Sequence, residues 1–179
     1  MNEKIEQYVR NHDRDFMEWL CDIISIPSPT GDEQAKGEWI LNLLHQWGAA
    51  GAYRDAAGNV VYPCHVKSGE KVALYTAHID TVFQDLQEIH IRQTGHILSA
   101  PSCSDNSASI AGLLFIIKMF HDLQLTPPQG LLFAFDVGEE GLGNLKGMRQ
   151  VMADWHGRIA EVVAVDCTFD TFVTTAVGS

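Results

Sequence analysis

No cysteine pair in this 179-residue chain is spaced C-x-x-C: Cys21, Cys64, Cys103 and Cys167 stand far apart. That spacing excludes zinc-ribbon and thioredoxin-type motifs, and four scattered cysteines do not make a secreted disulfide framework. Long hydrophobic runs are also missing. The longest, residues 110–117 and 131–135, fall short of the ~18 apolar residues a membrane span needs. Residues 1–10 carry charges throughout and have no apolar centre, unlike a signal peptide. Positive charge is scarce: 12 Lys and Arg stand against 23 Asp and Glu, a formal net charge of −11. Such a chain is a poor candidate to bind nucleic acid or an anionic membrane. There is no internal repeat, low-complexity segment or linker. What is present is an ordinary globular composition, 46% hydrophobic and 20% charged. The expectation is a soluble cytoplasmic protein whose residues 1–179 form one domain.

The hydrophobic periodicity alternates between helical and extended. Residues 5–24 have helical spacing with a polar interruption around 11–14, ended by Pro27 and Pro29. Thr30-Gly-Asp-Glu33 reads as a capping box, with Thr30 as the N-cap of a helix that stops at Gly48. Residues 59–66 and 71–76 read as strands joined by a turn at 67–70, and 88–92 with 96–99 as a short hairpin. A helix is expected from about 104–107 to 120, a fully apolar strand at 130–137, and an amphipathic helix at 144–155. A buried strand is expected at 161–165 and a further strand at 173–177. This alternation predicts a three-layer α/β/α domain with a mostly parallel mixed sheet.

Ligands of open α/β sheets bind beyond the carboxyl ends of the strands. Acids and a histidine gather at those positions. His78 and Asp80 leave the strand at 71–76, Glu139 and Glu140 follow the strand at 130–137, and Asp166 closes the strand at 161–165. Asp105 precedes a helix. The chemistry this suggests is a metal site. An H-x-D pair alone is a weak signal, Glu-Glu after a strand is usually a solvated turn, and a strand-end Asp often only caps a turn. Their joint occurrence at successive strand ends favours the metal. His78 would ligate, and a turn would let the Asp80 carboxylate fold back to fix the imidazole tautomer. Of the two glutamates, one can ligate while the other acts as a base. A His and carboxylate set suits Zn²⁺, Mn²⁺ or Co²⁺ without choosing firmly among them.

The segments Ile26-Pro-Ser-Pro-Thr-Gly31, Ala77-His-Ile-Asp-Thr-Val82, Ser104-Asp-Asn106, Gly138-Glu-Glu-Gly141 and Val165-Asp166, in this order, resemble the M20 family of metallopeptidases. That family includes carboxypeptidase G2-like, peptidase T-like and succinyl-diaminopimelate desuccinylase-like enzymes. The resemblance implies two divalent metal ions, with Zn²⁺ the leading expectation. His78 and Asp166 would hold one ion, Glu140 the other, and Asp105 would bridge them. Asp80 would support His78 and Glu139 would be the general base. Asn106 would follow Asp105 across a cis peptide bond. The implied reaction is hydrolysis of an amide in a small peptide or N-acyl amino acid by a metal-activated water.

The match has departures. Ala77 stands where the family usually has Gly, Phe83 where Pro is common, and residues 100–104 replace a Gly-rich stretch. Family members are about twice this length, two domains' worth on size grounds. The part beyond residue 179 would contain a lid, a dimerisation region and a further His ligand. On this reading the C-terminal part of the catalytic domain and the lid are absent, metal occupancy is partial, catalysis is weak, and exposed apolar surface makes the chain a homo-oligomer or poorly soluble. The other histidines, His12, His45, His65, His90, His96, His121 and His156, read as surface or packing residues. Two alternatives remain: an impaired metal-binding domain of the same fold, or a related co-catalytic zinc aminopeptidase. A third, Cys103 as a nucleophile, is disfavoured because an acidic neighbourhood raises a thiol pKa.

Overall fold

The computed structural model describes residues 3–86 and 88–166. The strand expected at 173–177 and Cys167 lie outside the described residues. The first helical stretch divides where the sequence turns polar, into α1 (Glu3–Asn11) and α2 (Asp13–Ser25). The second helix ends two residues before Pro27, as the restriction on residues ahead of proline requires. It is followed by α3 (Gln34–Gln46).

The capping box is not formed. Glu33 takes the N-cap position of α3 without a side-chain cap, and its carboxylate accepts the Gly31 N–H at 2.9 Å. The Thr30 hydroxyl instead donates to Asp80, 50 residues away, at 2.9 Å. A local pattern has yielded to a long-range charge-assisted bond, the stronger of the two options.

The strands β1 (Tyr53–Arg54), β2 (Val60–Cys64) and β3 (Val72–His78) come next. The separate hairpin of β4 (Arg92–Thr94) and β5 (Ile97–Ser99) follows. His90 lies ahead of this hairpin and not on a strand. Then come α4 (Ser109–Asp122), β6 (Gly130–Asp136), α5 (Lys146–Asp154) and β7 (Ile159–Ala164). Among the described residues the main sheet has five strands in the order β1-β2-β6-β3-β7. Strands β6, β3 and β7 are parallel to one another, while β2 pairs antiparallel with both β1 and β6. The turn at 67–70 therefore does not join paired strands, because β6 is inserted between β2 and β3.

Alternation along β6 divides the core. Leu131, Phe133 and Phe135 face α2, α3 and α4, against Ile23, Ile24, Ile40, Leu44, Leu114 and Ile117. Leu132 and Ala134 face the other way, onto Val151 of α5 and Trp155 just past its end. This is the expected α/β/α arrangement. One expectation fails: β7 is not a buried strand. It lies last in the sheet order among the described residues, and Val162 is 48% exposed.

A lysine is among the side chains buried in this fold. Lys36, near the start of α3, is only 1% exposed. Burial pushes its ammonium down to about 8, and the charge of Asp80 pulls the other way without restoring it. The fold therefore favours neutral lysine, at a cost on the order of 3 kcal/mol near neutral pH. Stability should rise as pH climbs from about 8 toward the ordinary lysine value of 10.5. In Lys36→Met this pH-dependent gain is expected to vanish and stability at pH 7 to increase. Urea denaturation of both proteins at pH 7 and pH 10 measures the difference.

Candidate metal centre

The centre is built at the carboxyl ends of β3 and β6. The parallel register pairs His78 with Asp136, so the two last residues lie side by side. Past His78 the chain turns. Ile79 donates its N–H to the Asp136 carbonyl at 2.8 Å, and residues 79–81 then run beside 28–30. Ser28 Oγ donates to the Ile79 carbonyl, and Pro29 bridges Thr81.

This turn buries Asp80 completely, at 0% exposure. Its carboxylate accepts three bonds: the Glu139 N–H on Oδ1 at 3.0 Å, the Glu140 N–H on Oδ2 at 3.0 Å, and the Thr30 hydroxyl at 2.9 Å. Burial would raise this acid, but His78, the two amides and Thr30 together hold it at about 2. The expected fold-back toward His78 takes a modified form. Nδ1 of His78 bonds the Asp80 backbone carbonyl at 3.1 Å, with the carboxylate at 3.6 Å. The backbone carbonyl fixes the tautomer with the proton on Nδ1, and the carboxylate serves mainly the glutamate turn.

With Nδ1 so engaged, Nε2 of His78 points into the site. It lies 3.0 Å from Asp105 Oδ1 and 4.0 Å from Asp166 Oδ1. Ligand atoms of His78, Asp105 and Asp166 all lie within 4.8 Å of one another, and so do those of His78, Glu139 and Glu140. Among the described residues the two groups share only His78, and no other histidine belongs to either.

Asp105 and Asp166 are brought together by Asn106. Its Nδ2 donates to the Val165 carbonyl at 3.0 Å, and Val165 N–H bonds Thr76 at the end of β3. The Asp105–Asn106 peptide bond is cis, as the resemblance implies. Asn106 Oδ1 is buried and has no hydrogen-bond partner among the described residues.

The electrostatics are those of crowded acids. Burial, together with the charges of Asp166, Asp80 and Asp105, raises Glu139, and His78 opposes this. Burial and Asp105 raise Glu140. Burial opposes a charged His78, but the Asp80 carboxylate and the charges of Glu139 and Asp166 outweigh it and lift the imidazole to about 9. A divalent cation would relieve this repulsion, and a histidine with several carboxylates is a fitting donor set for one.

Sequence reasoning missed three contributors. Asp136 faces the same cavity of about 150 Å³ as His78, Glu139 and Asp166. Burial pushes it up to about 6, against the hydrogen bond it accepts from the Thr76 hydroxyl. Thr76 reads as a plain strand residue, and only the register places it beside Asp136. Asn59 is fully buried next to the glutamate turn; its place after the turn-forming string Asp55-Ala-Ala-Gly58 is the only hint the sequence offers. Cys103 gains no support as a nucleophile, since burial and the neighbouring Cys21 push its thiol up. A larger cleft of about 540 Å³, lined by Val9, Phe16, Met17 and Phe115, is apolar and carries no ligating cluster.

Residues 74–176 match Peptidase family M20/M25/M40. A protein of Pyrococcus abyssi named "Putative LysW-lysine/LysW-ornithine hydrolase" is 32% identical over 134 residues, covering 74% of this chain and 35% of that protein. The crystal structure of human carnosine dipeptidase 1 superposes with a TM-score of 0.74 at 14% identity, over 93% of this chain and 41% of that one. A tripeptidase of Staphylococcus aureus superposes with a TM-score of 0.67 at 19% identity, over 87% and 43%. The chain thus spans about a third of the length of the curated relatives it matches.

A histidine held protonated by acids must lose that proton to bind a metal. Zinc binding near pH 7 is therefore expected to displace close to one proton, seen by calorimetry as an enthalpy that depends on the buffer. The raised pKa also has a sign for the metal-free protein. The stabilisation it brings is complete below the ordinary value of 6.5 and is lost as pH rises through about 9. His78→Gln should remove both effects.

Proposed function

The chain belongs to peptidase family M20/M25/M40, and on that premise we propose that it carries the catalytic-domain portion of a metal-dependent amide hydrolase. The carrying observation is that ligand atoms of His78, Asp105 and Asp166 lie within 4.8 Å of one another, as do those of His78, Glu139 and Glu140. In this reading His78, Asp105 and Asp166 hold one divalent ion, and Glu140 with Asp105 contributes to a second, Zn²⁺ before Mn²⁺ or Co²⁺. Ions bound there would supply a water of lowered pKa and a Lewis acid for the carbonyl.

The remaining work falls to the chain itself. Glu139 is the acid best suited to move a proton. It faces the site, it is partly buried, and its pKa is raised toward the range where a carboxyl group both accepts and returns a proton. It takes a proton from the attacking water and delivers it to the leaving amine. Asp80 acts on the reaction indirectly, by holding the amides of both glutamates. The substrate class proposed is a small peptide or N-acyl amino acid. Relatives named as a dipeptidase, a tripeptidase and a LysW-lysine/LysW-ornithine hydrolase support it.

A second reading is a metal-binding domain of this fold without catalysis. The observation that favours it is that both ligand groups depend on the same histidine among the described residues.

Two substitutions separate the readings. Asp105→Ala should weaken zinc binding by more than the ~10–100-fold typical of losing an outer-shell partner, and unchanged binding by calorimetry would remove the site assignment. Glu139→Gln should keep zinc bound and abolish hydrolysis of a dipeptide and N-acyl amino acid panel. If the wild-type chain binds zinc but shows no hydrolysis that Glu139→Gln removes, the non-catalytic reading stands.

A further inference from the structure

The loop that carries Glu139 and Glu140 leaves β6 at Val137 and enters α5 through Gly147. It is tied at its apex by Asp80. A second tie closes its neck. Asn59 Oδ1 accepts the Val137 N–H at 3.0 Å, and Asn59 Nδ2 donates to the Gly147 carbonyl at 2.8 Å. Gly147 N–H also bonds the Val137 carbonyl at 3.0 Å. One buried amide therefore spans both ends of the loop. No side chain is possible at Gly147, because a Cβ there would collide with Asn59 Oδ1 and the Val137 backbone.

The amide is itself oriented. Asn59 Nδ2 donates to Asp55 Oδ2 at 2.6 Å, while Asp55 Oδ1 accepts the N–H groups of Ala57, Gly58 and Asn59. The charged acceptor decides which end of the Asn59 amide faces Gly147. The loop needs such ties. Asn144 (φ 54) and Leu145 (φ 53) both lie in the left-handed region, which a leucine adopts only when its surroundings impose it. Leu145 lines the same cavity as His78 and Glu139.

We infer that Asn59, oriented by Asp55, is a positioning residue for Glu139 and Glu140, fixing their loop at the neck as Asp80 fixes it at the apex. The inference rests on the metal-site reading for its consequence in binding, but not for the geometry of the loop. Asn59→Asp keeps the shape and the acceptor for Val137, yet sets a carboxylate against Asp55 and the Gly147 carbonyl. Asp55→Asn is the second variant: its oxygen can still accept the three backbone N–H groups, but its amide nitrogen replaces the acceptor that orients Asn59 Nδ2. The pair Asp55→Asn with Asn59→Asp restores a donor between the two positions.

The test combines zinc titration calorimetry, amide hydrogen exchange and thermal denaturation on the 179-residue chain. Asn59→Asp is expected to weaken Zn²⁺ binding by ~10–100-fold. Exchange should quicken at residues 138–146 while β3 and β6 stay protected, and the double variant should recover part of both. If Asn59→Asp does not fold, Asp55→Asn decides, with the same pattern at smaller amplitude. Unchanged exchange at 138–146, or protection lost uniformly across the sheet, overturns the inference. Absence of zinc binding by the wild-type chain would count against the metal-site reading, and loop exchange would then still decide the role of Asn59.

Discussion

A carboxylate with no exposed surface organises this molecule. Asp80 stands at the meeting point of three segments: the stretch before α3 through Thr30, the end of β3 through His78, and the loop after β6 through the Glu139 and Glu140 amides. Burying an ion costs several kcal/mol unless it is paired and hydrogen-bonded. Charge-assisted hydrogen bonds return roughly 1.5–3 kcal/mol each, and Asp80 accepts three while lying beside an imidazole. Its depressed pKa says that the bonds outweigh the burial.

That one group links fold to chemistry. Because its oxygens are occupied by the glutamate turn, His78 takes its Nδ1 partner from the Asp80 backbone instead, and Nε2 is left free to face Asp105 and Asp166. Because both glutamate amides point at Asp80, the Glu139 and Glu140 side chains are directed toward the same histidine. Burial first, and the crowding of neighbouring acids second, raise the pKa values of Glu139 and Glu140. A bound cation would relieve that repulsion.

Much of this was legible in the chain. The α/β alternation, the two halves of the first helical stretch and the doubly buried β6 follow from apolar periodicity and proline positions. So does the gathering of His78, Asp105, Glu139, Glu140 and Asp166, since each stands at a strand end or helix start where open sheets bind ligands. Other readings failed for identifiable reasons. The sequence around Thr30 fits a capping box, but a hydroxyl can make a better bond to a buried ion than to a helix amide. The apolar string of β7 reads as buried, but the strand stands last in the sheet order among the described residues, and Val162 is exposed.

The division between the two levels has a physical basis. Residue type and local period are properties of short stretches, so the sequence by itself determined most of the elements and which acids and histidine stand at their ends. Pairing across 50 to 90 residues is a property of topology. Only the tertiary structure decided that β6 separates β2 from β3, that Asp136 lies beside His78, and that Asn59 spans Val137 and Gly147. Those contacts depend on sheet order and register, which no local pattern encodes, because the partners become neighbours only once the core has closed.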